Sequence, residues 1–300
     1  MTSEVVIQAH GLTKHFGGLE AVAGIDFEVE RGTCVGLLGP NGAGKTTTMR
    51  MIMGLTRPSA GTLTVFGHPS SALGKAERAR IGLVPQEDTL DPDITVAQNL
   101  HVYGRYFGVA RAALDERVPQ LLAFMHLEEK ANAQVMQLSG GMKRRLIVAR
   151  ALIGNPDLVI LDEPTTGLDP QARMMIWKRL LALRGERKTL LLTTHYMDEA
   201  ERLCDRIVII DGGRVLENGS PRALIRKHVS GHVFELPKPV PEGLDGDGLD
   251  VEDIGDAVLV YVDTPEALMH RLGGEAAFHH RPAGLEDVFL RLTGRQLRDS

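Results

Sequence analysis

Eight residues, Gly39-Pro40-Asn41-Gly42-Ala43-Gly44-Lys45-Thr46, constrain this chain more than any other stretch. They follow a short apolar run, Cys34-Val35-Gly36-Leu37-Leu38, and open a helical pattern that continues to about Gly54. The spacing is G-x-x-x-x-G-K-[ST]. Its glycines let backbone N–H groups curl around phosphate oxygens without Cβ clashes, and the following helix points its positive end at the same anion. Lys45 supplies a point charge to β and γ phosphates, and the Thr46 hydroxyl can ligate Mg²⁺. Such a loop needs a strand before it and a helix after it, so the chain must be α/β.

A second apolar run, Leu158-Val159-Ile160-Leu161, ends in Asp162-Glu163. A buried parallel strand delivers both carboxylates to the C-terminal edge of the sheet, beside the phosphate loop. Asp162 is placed to hold Mg²⁺, directly or through a water. Glu163 is placed to polarise an attacking water as general base. Further strands are expected at 5–7, 25–29, 62–66, 189–193 and 207–210, with helices at 170–183 and 197–204. This alternation implies a mostly parallel sheet covered on both faces. Residues 93–153 turn helical, with Asp93 or Thr95 as the first cap, and read as an inserted subdomain spanning about 88–154.

Composition narrows the function. A hydrophobic fraction of 43% with 24% charged residues permits an ordinary globular core. A net charge of −5 exerts no general pull on nucleic acid or anionic lipid, which argues against a nucleic-acid partner. No apolar run reaches the length of a membrane span, and Met1-Thr2-Ser3-Glu4 lacks the basic-then-apolar pattern of a secretory signal. The expectation is a chain kept in the cytoplasm, with any membrane crossing done by another chain. The two cysteines, Cys34 and Cys204, read as reduced buried thiols, and His279-His280 as a solvated pair rather than a metal site. The proline-rich stretch Leu236–Gly243 reads as a linker or exposed loop. With a strand at 257–262 and helices at 264–272 and 285–292, it suggests a small α+β appendage over 231–300.

Leu138-Ser139-Gly140-Gly141-Met142 adds the classifying feature. Ser139 can cap a helix while Gly140 and Gly141 expose N–H groups to an anion. In order and spacing, these segments resemble the nucleotide-binding subunits of ABC transporters over residues 4 to about 230. The resemblance implies a fold of the P-loop NTPase kind: a nucleotide-binding domain over 1–230, with an N-terminal antiparallel β subdomain, and an accessory domain over 231–300. It implies ATP and Mg²⁺ as cofactors, with Asn41, Gly42, Ala43, Gly44, Lys45, Thr46 and Thr47 on the phosphates. Leu138–Met142 looks like the family's L-S-G-G-Q signature, which contacts the γ-phosphate of ATP bound to a partner copy. A head-to-tail dimer with two sandwiched ATP molecules follows from that. Met142 stands where the family has glutamine, which removes one polar contact and leaves the glycines. By the same resemblance, Gln86 links Mg²⁺ and the attacking water to the membrane partner, and His195 contacts the γ-phosphate. Asp169 crosses the dimer interface, and Phe16 stacks on adenine.

Within the family, 164–170 and 195–206 look like ABC-2-type exporters. The run Arg281–Arg295, taken with Leu138–Leu146, is most similar to ATPases of nodulation-factor (lipo-oligosaccharide) exporters, and daunorubicin-type drug-exporter ATPases are near relatives. The expected function is ATP hydrolysis that drives export through a separate ABC-2-type permease, from a peripheral position on the cytoplasmic face of the inner membrane. The competing reading is a soluble regulatory ATPase without a membrane partner. A P-loop kinase or GTPase is disfavoured by Ser139–Gly141, by His195 and by the absence of a guanine-reading N-K-x-D run. The appendage either regulates the dimer or steadies the complex, or it is a packing extension that stabilises the subunit.

Overall fold

The computed structural model describes residues 4–240, 249–272 and 277–294. Residues 1–3 of the N-terminal stretch, 241–243 of the proline-rich stretch and Arg295 lie outside them. The chain divides into two compact units, Met1–Asn218 and Gly219–Ser300.

The first unit begins with β1 (Val5–Phe16), β2 (Leu19–Glu30), β3 (Cys34–Leu38), α1 (Lys45–Ile52), β4 (Ala60–Val65), β5 (His68–Pro69), α2 (Lys75–Ala79) and β6 (Ile81–Val84). Three helices follow: α3 (Val96–Tyr106), α4 (Arg111–Phe124) and α5 (Gly140–Ala151). The alternation resumes with β7 (Leu158–Asp162), α6 (Pro170–Gly185), β8 (Thr189–Thr194), α7 (Met197–Leu203), β9 (Arg206–Asp211) and β10 (Arg214–Gly219).

The stretches expected at 5–7 and 25–29 are parts of a much longer hairpin. β1 and β2 pair antiparallel across four register shifts, and Ile7, Ala9, Leu12, Val22, Ile25 and Phe27 are all buried. With β4 and β5 they form an antiparallel sheet in the order β2-β1-β4-β5.

The second sheet runs β10-β9-β3-β8-β7-β6, and the five strands from β9 to β6 are parallel. β3 and β8 are buried along their whole length, which is why Cys34–Leu38 and Leu190–Leu192 read as apolar runs rather than alternating ones. Met49 and Ile52 of α1 enter the same core as Leu37, Ile160 and Leu191, anchoring the phosphate loop between strand and helix. Leu38 pairs with Thr194 and Asp162 with Thr193, so β3, β7 and β8 end at one edge. The loops that leave that edge carry the candidate site.

The inserted helices start from side-chain caps. Thr95, not Asp93, caps α3: its hydroxyl accepts from the Gln98 N–H while the Gln98 side chain accepts from the Thr95 N–H at 2.8 Å. The Ser139 hydroxyl caps α5 by accepting from the Met142 N–H at 3.3 Å. Both cysteines are buried, with their sulfurs 4.0 Å apart.

The second unit contains α8 (Pro221–His228), β11 (His232–Pro237), β12 (Asp250–Asp253), β13 (Ala257–Val262), α9 (Pro265–Leu272), β14 (His279–Pro282) and α10 (Leu285–Thr293). Its sheet, β12-β13-β11-β14, is antiparallel throughout. Phe234, Leu236, Val258 and Val260 pack against Leu268 and Leu272 of α9. The helix α8 groups with this unit, whereas the sequence pattern divides the chain near residue 230. His280 corrects the expectation of a solvated pair. Strand alternation turns it onto the sheet face, where its ring stacks on Phe234 at 4.5 Å and its Nε2 lies 3.1 Å from His232 Nδ1. Among the described residues, no helix is long and apolar enough to cross a membrane.

Candidate functional site

The loop between β3 and α1 is shaped by backbone packing. Gly44 sits at φ 99°, and a Cβ there would stand 2.5 Å from the Ala21 carbonyl oxygen, so only glycine fits. Gly44 is also the N-cap of α1 and brings no side-chain cap, which leaves the first-turn N–H groups open to an anion. The buried Lys45 ammonium donates back to the Gly39 and Pro40 carbonyls at 2.8 and 3.0 Å. Burial pulls its pKa below the ordinary lysine range, against the opposing field of Glu163.

Glu163 is the hub of the site. It follows β7 in a left-handed backbone conformation, φ 45°, that costs a non-glycine residue about 1–3 kcal/mol and that the surrounding packing must enforce. One carboxylate oxygen lies 3.3 Å from His195 Nδ1, off hydrogen-bond alignment, and 3.7 Å from Lys45 Nζ. The other accepts from Thr166 Oγ1 at 3.1 Å and Gln86 Nε2 at 3.3 Å. His195 is the largest cause holding the Glu163 carboxyl below the ordinary carboxylate range; burial opposes it, and Lys45 and Thr166 assist. The group is therefore ionised at neutral pH, as a proton acceptor must be.

Asp162 behaves in the opposite way. Burial raises its pKa, while a 2.5 Å hydrogen bond from Thr193 Oγ1 counteracts the rise. The same Thr193 hydroxyl accepts from the Glu163 N–H at 3.1 Å, so one buried threonine supports both acids. Thr46 is exposed at the start of α1. Phe16, at the end of β1, is 50% exposed with the Lys14 ammonium 4.9 Å from its ring centre.

The structure thus gathers Lys45, Glu163, His195 and Gln86 into one cluster, with Asp162 beside it. Ser139, Gly141 and Asp169 meet elsewhere, in a hollow of about 730 Å³ that none of those four residues lines. Asp169 caps α6 there, accepting from the Ala172 N–H at 2.9 Å. The cluster around Lys45 and Glu163 and the hollow lined by Ser139, Gly141 and Asp169 are therefore separate places on one chain.

Glu199 and Arg144, both buried beside the loop after β7, have no counterpart among the sequence-based expectations. Glu199 of α7 accepts from Thr165 Oγ1 at 2.8 Å and Trp177 Nε1 at 3.0 Å, and burial raises its pKa. It ties the loop after β7 to α6 and α7. Arg144 of α5 lies behind both acidic residues. A lone charge within a helical pattern reads as a solvated face, and neither residue carries any other signal.

Residues 22–166 match the ABC transporter family, and residues 245–294 match the C-terminal domain of the nodulation factor export protein NodI. A Nod factor export ATP-binding protein I from Cupriavidus pinatubonensis is 50% identical over 300 residues, 98% of this chain and 92% of that protein. An ATP-binding subunit of an ABC transporter superposes with a TM-score of 0.67 at 30% identity, over 74% of this chain and 92% of the other. A dimeric ATP-binding cassette in a post-hydrolysis state, bound to ADP and Pi, gives 0.65 at 27% identity, over 71% and 98%. The chain therefore belongs to the ATP-binding subunits of ABC transporters, among the Nod factor export ATP-binding proteins.

Proposed function

We propose that this ATPase powers export through a separate ABC-2-type membrane subunit, acting as a head-to-tail dimer on the cytoplasmic face of the inner membrane. A lipo-oligosaccharide is the favoured cargo, because the relative from Cupriavidus pinatubonensis is named for Nod factor export; a hydrophobic drug-like molecule is the alternative. The observation that carries the catalytic reading is the Glu163 carboxylate, ionised and held among Lys45, His195, Gln86 and Thr166.

The triphosphate of ATP would lie over 41–47, where the open N–H groups of α1 face it. Lys45 would exchange its loop carbonyls and Glu163 for β and γ oxygens. Glu163, released from the ammonium, takes the proton of the attacking water, and His195 meets the γ-phosphate. The Thr46 hydroxyl, the Asp162 carboxylate and the Gln86 amide oxygen are hard donors suited to Mg²⁺, which when bound neutralises phosphate charge. Ser139, Gly140 and Gly141 would close the γ-phosphate from the second copy, with Asp169 at the interface. Phe16 offers its ring to adenine.

Glu163→Gln keeps the shape and removes the base. ATP binding should persist, turnover should fall by about 10²–10⁴-fold, and a closed dimer should accumulate on gel filtration with ATP. Wild-type phosphate release would sink the assignment. Capture of the tagged chain from native membranes should bring down a multi-helix membrane protein; capture of the chain alone would favour a regulatory ATPase.

A further inference from the structure

Helix α5 carries a buried arginine shortly after its Ser139 cap, and the chemistry above does not use it. Arg144 is 7% exposed. Its Nε donates to the Pro164 carbonyl at 2.6 Å. Its Nη2 donates to the Asp162 and Glu163 carbonyls at 3.0 and 2.9 Å. Its Nη1 donates to the Pro85 carbonyl and, at 3.3 Å, to the Gln86 carbonyl. An arginine has five N–H donors in a rigid fork, and here five main-chain carbonyls receive them. Burial lowers its pKa to about 10, which leaves it cationic at neutral pH.

The five carbonyls belong to two segments. Pro85 and Gln86 leave β6, and Asp162–Pro164 leave β7 and include the left-handed turn at Glu163. No hydrogen bond of the helix ladder spans these places; one guanidinium does. The same helix begins at Ser139 and Gly140, the segment proposed above to close the γ-phosphate across the dimer.

We propose that Arg144 is a positioning residue for hydrolysis. It fixes the main chain of Gln86 and Glu163 to α5, so both groups around the attacking water move with the helix that bears the signature. This role rests on Glu163 being the general base. A lysine cannot replace it fully, because an ammonium has three donors and no planar fork.

The test uses the full-length chain with R144Q, R144K, E163Q and, as a control on the same helix, K143A. Lys143 ion-pairs with Asp88 at 3.6 Å and has no part in the cluster around Glu163. R144Q should lower kcat by about tenfold or more while KM and the affinity for a fluorescent ATP analogue stay within about threefold. R144K should recover part of the loss, K143A should match wild type, and circular dichroism should report folded protein throughout. Folded R144Q with wild-type kcat overturns the proposal. So does a parallel fall of kcat and nucleotide affinity in step with the melting temperature. If R144Q does not fold, R144K decides: reduced kcat at unchanged affinity supports the role, and wild-type kcat refutes it. Turnover retained in E163Q would instead remove the base on which the role depends.

Discussion

Replacing Thr193 with valine tests how the site tolerates two adjacent buried acids. The Thr193 hydroxyl is fully buried, donates to Asp162 and accepts from the Glu163 N–H. Valine keeps the branch but leaves an Asp162 oxygen without its donor, whereas the Glu163 N–H retains the Thr193 carbonyl at 3.2 Å. A hydrogen bond to a charged acceptor contributes about 1.5–3 kcal/mol, so T193V should lose about that much at neutral pH and above. In a unit of this size that is a fall of about 3–12 °C in melting temperature. The sign with pH follows from Asp162. Its folded pKa lies above the ordinary value, so the fold disfavours the ionised form. That penalty is present once the carboxyl is ionised and vanishes as pH falls through the raised pKa towards the unfolded value of about 3.9. Valine deepens the penalty, so the deficit should be large at about pH 8 and smaller at about pH 5. Melting curves of both proteins without nucleotide, at the two pH values, are the assay. An equal deficit at both would mean that lost packing, not the charge on Asp162, sets the cost.

Two further substitutions probe backbone and burial. G44A places a Cβ 2.5 Å from the Ala21 carbonyl oxygen at φ 99°, so it should cost about 2–4 kcal/mol and abolish ATP binding in a filter assay. G42A, at φ 81° with nothing within 4 Å of the added atom, should cost less. In the second unit, Asp287 is buried and accepts from both Arg281 terminal nitrogens at 2.7 and 2.8 Å and from the Gly284 N–H at 2.8 Å. D287A should destabilise by about 3 kcal/mol in chemical denaturation, because it strands the guanidinium, and D287N should cost less.

What the sequence discloses depends on how each residue meets its surroundings. β3, β7 and β8 are covered on both faces, so they appear as plain apolar runs, and that pattern alone is enough to bring Lys45 and Glu163 to one sheet edge. Gln86 and His195 carry no such pattern; only the family resemblance singles them out. β6 escapes notice because Gly82 interrupts it. That glycine is required where a Cβ would stand 2.3 Å from the Ala151 carbonyl oxygen, so a packing demand overrides strand propensity. The outer half of β1 carries Thr13, Lys14 and His15, and its pairing with the Ala- and Gly-containing start of β2 is bulged, which removes the alternation a strand normally shows. Arg144 and Glu199 are hidden for a different reason. Their partners come from segments distant in sequence, and a buried polar side chain held by main-chain carbonyls or by a threonine and a tryptophan looks locally like a surface charge.

The separation of the two half-sites yields a prediction that one chain alone cannot satisfy. Lys45 and Glu163 occupy one cluster, while Ser139, Gly141 and Asp169 line a different hollow of the same unit. If hydrolysis needs both on one ATP, the second set must come from another copy, and a monomer should bind ATP yet turn it over poorly. K45A destroys the first half-site and S139A the second. Each variant alone should be nearly inactive, because every site in its dimer carries the defect. In an equal mixture, random head-to-tail pairing makes half of the dimers mixed. Each mixed dimer then joins the intact Lys45 of one chain to the intact Ser139 of the other at one of its two sites. Phosphate release should recover to about a quarter of the wild-type rate, since half the dimers hold one good site of two. The recovery should also rise with total protein concentration, as association demands. If crosslinking shows mixed dimers while the mixture is no more active than its parts, the two half-sites do not complete each other across copies. If S139A alone turns over normally, the signature segment has no part in the reaction.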